Sequence, residues 1–273
     1  MNRSWLPQHV RRQGIAIFAL LVCVACTNPP GAPSGSNAGP RAGGTLYAAS
    51  WLEPTSLLEA GITAASQHAI ADVAPMVEGL LGLKNAADVR KNPKVADFYQ
   101  PQLATEVPTT DNGDVKVSGS TMRVTYKLRH GVRWSDGQPF SSKDVVDTAN
   151  FFYLKFKDAN PTQLFSTSGW DQISSVTTPD DYTAVVNYKS LYGPYLTNFA
   201  GPYGVLPSHL LQQTWTAGGD LTRTKLAVDN TPSNPAAYKG SDTWDKWLVG
   251  TGPFVFREWV GGDHLTMVKN NLW

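Results

Sequence analysis

A chain of 273 residues with 41% apolar composition can bury one large core or two small ones, and this composition excludes wholesale disorder. Its 23 basic and 22 acidic residues leave a net charge of +1, which gives no electrostatic case for binding nucleic acid. Only two cysteines occur, Cys23 and Cys26, both ahead of the predicted folded part, so that part has no internal disulfide and no cysteine metal ligands. Nine Trp and ten Tyr are many. Large rings with one polar atom suit sugar or peptide clefts, but they also fill ordinary cores.

The first 26 residues read as an export signal. Arg3, Arg11 and Arg12 form a basic start, followed by an apolar run from Ile15 to Ala25. That run is too short to span a bilayer, which needs roughly 20 apolar residues, and it fits a signal core. Val24-Ala25-Cys26 has a small residue before Cys, as in a lipid-attachment box, although Cys23 stands where Leu is usual. Lipidation of Cys26 is the favoured outcome, with ordinary cleavage nearby as the alternative. The C-x-x-C spacing of Cys23 and Cys26 lies inside the signal core and is not read as a redox or metal site. Residues 27–43 are almost all Pro, Gly, Ser, Ala and Asn, the composition of a flexible tether.

The folded part is predicted from residue 44 onward. Gly44–Ser50 reads as an opening strand, broken at Pro54. Apolar residues at three- and four-residue steps predict a helix over Ser66–Leu83, which Pro75 should kink or split. Asn85–Asp97 is polar and reads as a loop. After the turn signal at 111–114, Met122, Val124, Tyr126 and Leu128 alternate with Arg123, Thr125 and Lys127, the period of a half-buried antiparallel strand. Asp136-Gly137 makes the next turn. Ser141 and Asp144 have capping-box spacing ahead of a helix whose apolar face is Val145, Ala149, Phe152 and Phe156. Trp134, beside the Asp-Gly turn, reads as core. A hairpin is predicted around Pro179-Asp180-Asp181, with Tyr182, Ala184, Val186 and Tyr188 alternating after it. Ser208 is expected to cap a short helix over Ser208–Gln213. Gly218–Gly240 is a polar stretch, read as a surface insertion. A last hairpin spans 254–268 around Gly261-Gly262. Strands and helices mix without regular βαβ alternation, which favours a mixed α/β domain.

These landmarks, in their order, resemble the family 5 extracellular solute-binding proteins of ABC importers. The resemblance rests on Gly44-Thr45-Leu46, Glu53-Pro54-Thr55-Ser56-Leu57, Glu78-Gly79-Leu80-Leu81 and Pro101-Gln102-Leu103-Ala104. It rests further on the run from Tyr126 to Val146, on Gly250-Thr251-Gly252-Pro253-Phe254, and on Lys269-Asn270-Asn271-Leu272-Trp273. Departures occur at Leu57-Leu58-Glu59, at Val107 and in the insertions at 85–97 and 218–240. The resemblance implies an α/β, type II periplasmic-binding-protein fold, incomplete because the family continues past this point into a second lobe. It implies lobe I in 44–65 and about 170–273, and a β-rich subdomain in about 66–169. It also implies an extracytoplasmic carrier, anchored in the membrane by lipid, that hands a small solute to permease subunits. Peptide is the leading solute class, with nickel complexes and sugars as others.

The residues offer little catalytic chemistry. His68, His130, His209 and His264 lie in different predicted elements and share no ligand spacing. Asp180-Asp181 sits in a turn, where Asp is favoured for backbone reasons. Neither G-x-S-x-G nor a phosphate loop occurs, and no cofactor or metal is expected. Trp51 and Glu53, following the opening strand where the resembled family enters its cleft, are the candidate substrate contacts. A secreted carbohydrate-active enzyme or carbohydrate-binding module is the competing reading, motivated by the aromatic content and the export signal. It requires two carboxylates facing one cleft.

Overall fold

The computed structural model describes residues 43–50, 72–89, 93–150, 168–202, 204–211 and 248–273. The chain divides into two compact units, Met1–Ala48 and Ala49–Trp273. Within the first, residues 43–48 have no regular secondary structure, and Leu46 and Tyr47 are both 91% exposed. The opening strand expected over Gly44–Ser50 is therefore not formed. A strand needs a neighbour for its backbone N–H and C=O groups, and no described residue pairs with this segment.

In the second unit a helical turn ends by Val73, just ahead of Pro75. The chain then runs extended into β1, Leu81–Leu83. The helix expected to reach Leu83 thus stops about ten residues early. Leu80 and Leu81 are fully buried because backbone closes on both sides of them. β2, Tyr99–Pro101, pairs antiparallel with β1, and Leu81 bridges in parallel to Ala200. The stretch expected as loop between β1 and β2 holds two short 3-10 turns, Ala86–Asp88 and Val95–Phe98.

The main sheet has β3 (Val115–Ser118), β4 (Thr121–Lys127), β5 (Ile173–Asp180) and β6 (Thr183–Tyr188), in the order β3-β4-β6-β5 and all antiparallel. Alternation gives it two unlike faces. Val115, Met122, Val124, Tyr126, Ala184, Val186 and Tyr188 point inward and are buried. The β5–β6 turn falls at Asp181-Tyr182, with Asp180 Oδ1 accepting the Tyr182 N–H at 2.8 Å. Ala104 bridges Leu128, so the chain leaving β2 continues along the end of β4. β7 (Phe254–Val260) and β8 (His264–Lys269) form the predicted last hairpin.

The helix α1, Ser142–Asn150, lies against β5 and β6 and buries Val145 and Ala149. Edge-to-face rings extend the core: Tyr126 to Phe199 at 5.7 Å, Phe199 to Trp170 at 5.1 Å and Trp134 to Phe140 at 6.0 Å. Each such ring pair adds about 0.5–1.5 kcal/mol beyond its area burial. The four-stranded sheet draws two strands from each side of residue 169. The β-rich subdomain expected to end there therefore continues at least to Tyr188, because β6 lies between β4 and β5.

Candidate functional site

The predicted substrate contacts, Trp51 and Glu53, and the predicted lipid-attachment residue, Cys26, lie outside the described residues. So do His68, Phe152, Phe156 and the 218–240 insertion. Two polar clusters stand out among the residues that are described.

The first is a crossing of three backbone segments. Residues 75–80 run between 199–202 and 250–254. Leu80 N–H donates to Phe199 O at 2.8 Å, Gly252 N–H to Met76 O at 2.9 Å and Phe254 N–H to Pro75 O at 3.1 Å. The contact is so close that side chains are excluded. A Cβ on Gly79 would sit 2.6 Å from the carbonyl oxygens of Gly201 and Phe199, and one on Gly250 would collide with Met76 O. Within this crossing, Glu78 Oε2 accepts the Thr251 hydroxyl at 3.0 Å. Burial pushes the Glu78 carboxyl above its ordinary value, while the Thr251 hydrogen bond and the Arg129 charge pull it back. Asn270 completes the crossing, donating through Nδ2 to Gly252 O at 2.8 Å and through its backbone N–H to Pro253 O at 2.8 Å.

The second cluster fixes the turn 207–211 to α1. Asp144 Oδ2 accepts the Ser141 N–H at 2.8 Å, the predicted capping contact, with Ser141 Oγ accepting the Lys143 N–H at 3.3 Å. The other oxygen, Asp144 Oδ1, accepts the Ser208 N–H at 2.7 Å. Burial raises the Asp144 carboxyl, and the Ser208 and Ser141 N–H groups offset part of that rise. The Ser208 hydroxyl donates to Asp147 Oδ2 and accepts from Lys143 Nζ, which lies 2.6 Å away and also bonds Asp147 at 2.7 Å. Ser208 is therefore not the expected cap. It is the first helical residue, and the following N–H groups of Leu210 and Leu211 return to Pro207 O at 3.1 and 3.0 Å. His209 Nε2 meets Asp136 Oδ2 at 2.6 Å, tying the Asp-Gly turn to the same place.

Neither cluster is built for catalysis. The Ser208 hydroxyl is held between an ammonium and a carboxylate, and an ammonium paired to Asp147 cannot take its proton. Glu78 and Asp144 are hydrogen-bonded to the chain itself. Among the described residues, no group of three or more His, Cys, Asp and Glu side chains could hold a metal ion. Also among them, no helix is long and apolar enough to cross a membrane. Sequence reasoning located Asp144 through its capping spacing. It missed the roles of Glu78, Thr251 and Ser208 because their partners are remote in the chain.

Residues 99–273, more than half of the chain, match the bacterial extracellular solute-binding proteins, family 5, middle region. The chain belongs to this family. Its members carry solutes and are not enzymes, and the family's description places them outside the cytoplasm. The chain is 24% identical to the oligopeptide-binding protein AppA of Bacillus subtilis over 259 residues, covering 94% of this chain and 39% of that protein. A Brucella ovis protein named as a peptide-binding component of an ABC transporter is 26% identical over 155 residues, which is 57% of this chain and 24% of that one. The oligopeptide-binding protein of Thermus thermophilus, solved with a pentapeptide, superposes with a TM-score of 0.58 at 20% identity, over 81% of this chain and 36% of that one. DppA of Helicobacter pylori, solved with the peptide STSA, gives 0.51 at 21% identity, over 79% and 37%. The fold is thus part of the α/β architecture of type II periplasmic binding proteins. The chain spans about a quarter to two-fifths of these relatives' lengths.

Proposed function

We infer that the chain serves as the capturing component of an ABC importer, taking a small solute outside the cytoplasm and delivering it to permease subunits. The observation that carries this reading is the family match over residues 99–273, which takes in the main sheet and the last hairpin. Oligopeptide is the favoured solute class, because relatives named for peptide binding recur among the similar chains and folds. In this reading the solute lies against a second lobe, and Trp51 and Glu53 contribute from this side. The indole covers an apolar part of the ligand, and the carboxylate accepts its amine or a backbone N–H. Binding shifts the population toward a closed form, with affinity drawn from hydrogen bonds and desolvation in the cleft. Lipid on Cys26 and the 27–43 tether hold the carrier at the membrane surface.

Calorimetry with defined pools of short peptides tests the solute class. Peptide heat that falls at least about fivefold in affinity in Trp51→Ala and Glu53→Gln is the expected result, since each replacement removes about 1–3 kcal/mol of contact. Heat with an oligosaccharide or a nickel–histidine complex, and none with peptides, would reassign the solute. Mass spectrometry of membrane-extracted protein tests the anchor. A diacylglyceryl mass on Cys26 that disappears in Cys26→Ser is expected, and an unmodified mature N-terminus would sink the anchor.

A further inference from the structure

The outward face of the main sheet carries a charge arrangement that the fold does not explain. Register sets Lys116 of β3 directly opposite Arg123 of β4, Arg123 opposite Asn187 of β6, and Asn187 opposite Ser175 of β5. The four residues form one row across all four strands. Like charges facing each other across a strand pair repel, and such pairs ordinarily sit beside a carboxylate. Lys127, farther along the same face, has one on each side, Glu106 at 2.8 Å and Asp114 at 3.0 Å. Lys116 and Arg123 are both exposed, and neither has an ion pair or a side-chain hydrogen bond among the described residues. No outward strand position of β3, β4, β5 or β6 between Lys116 and Asn187 in this row supplies an acid.

We propose that this face is a docking surface for a carboxylate-bearing segment of a partner protein, with Lys116 and Arg123 as its paired cations. The row supplies the two cations at one end and an amide and a hydroxyl at the other, with the Asn187 amide donating to Ser175 Oγ at 3.0 Å. Thr125, Val185 and Thr177 make the adjoining row. Short side chains on a sheet give a nearly flat surface that an acidic segment can lie along, pairing its carboxylates with the cations and its backbone with the hydroxyls. A bilayer is the poorer fit, because no outward aromatic ring in either row could enter the headgroup layer. A nucleic-acid backbone is also a poorer fit, because two unpaired cations neutralise too few phosphates. The proposal does not depend on which solute the protein carries.

The test uses the full 273-residue chain with hexaglutamate as the probe, followed by backbone amide NMR. Shift changes centred on Lys116, Arg123 and Asn187 are expected, vanishing between about 0.1 and about 1 M salt as the screening length falls from ~10 to ~3 Å. The Lys116→Gln/Arg123→Gln variant should bind at least about tenfold more weakly and melt no lower than the parent, since it removes facing like charges. Shifts located elsewhere, equal binding by the variant, or binding to phosphatidylglycerol vesicles without any response to hexaglutamate would each overturn the proposal. Should the variant fail to fold, the location and salt dependence of the parent's shifts decide the matter alone.

Discussion

Glu78 and Asp144 are both carboxylates raised by burial, but they do different work. Glu78 holds one hydroxyl, and a neutral amide oxygen can do the same. Its folded value lies above the ordinary 4.5, so its contribution to stability is fully present below about pH 4.5 and is lost as pH rises through the folded value. Glu78→Gln does not titrate. Relative to the variant, the parent protein should therefore gain stability as pH falls from about 7 to about 4. Paired thermal melts check this, and a parent that loses ground to the variant on acidification would refute it. Asp144 accepts two backbone N–H groups at once, and Asp144→Ala strands both. A loss of about 2–4 kcal/mol is expected from urea unfolding, with Asp144→Asn intermediate because it keeps one good acceptor. The first of these contacts was legible in the sequence, since Ser141 lies three residues away. The second was not, because Ser208 lies 64 residues on and no local pattern announces it.

Among the elements, those closed by local turn chemistry were the legible ones. The hairpin at 254–269 follows from Gly261-Gly262, and the β4 alternation follows from period two. The segment ending at Leu83 was misread because a short apolar run satisfies helical spacing and a doubly buried strand equally well. What decides is whether backbone lies on both sides, and for Leu81 it does, in Pro101 and Ala200. The crossing beside it makes a sharp prediction. Gly250→Ala places a methyl against Met76 O and should cost about 2–4 kcal/mol in denaturant midpoint analysis. Gly193→Ala, with open space around its added carbon, should change stability by less than about 0.5 kcal/mol. Equal effects at the two positions would mean the crossing yields to a side chain.

For the whole molecule, the order of weak motifs along the chain was enough to place it in its family, because seven in sequence are far more specific than any one. Domain limits were less visible, since a boundary depends on which strands pair and pairing is not written locally. Residues 72–169 alone retain β3 and β4 but lose β6, the strand that joins them to β5. That piece should show no cooperative thermal transition by circular dichroism, since a two-stranded remainder cannot cover its apolar face. A sharp transition from it would restore the limit near 169.

The three-way crossing also bears on the order in which the chain becomes native. Glu78 and Thr251 are 173 residues apart, so one side of the crossing leaves the ribosome long before the other exists. At roughly 5–20 residues per second, that interval is on the order of ten to thirty seconds. During it, the carbonyls of Pro75 and Met76 wait without the N–H groups of Phe254 and Gly252 that will satisfy them. Until residues 250–254 have been made, this part of the fold cannot close, so the chain stays open through most of its synthesis.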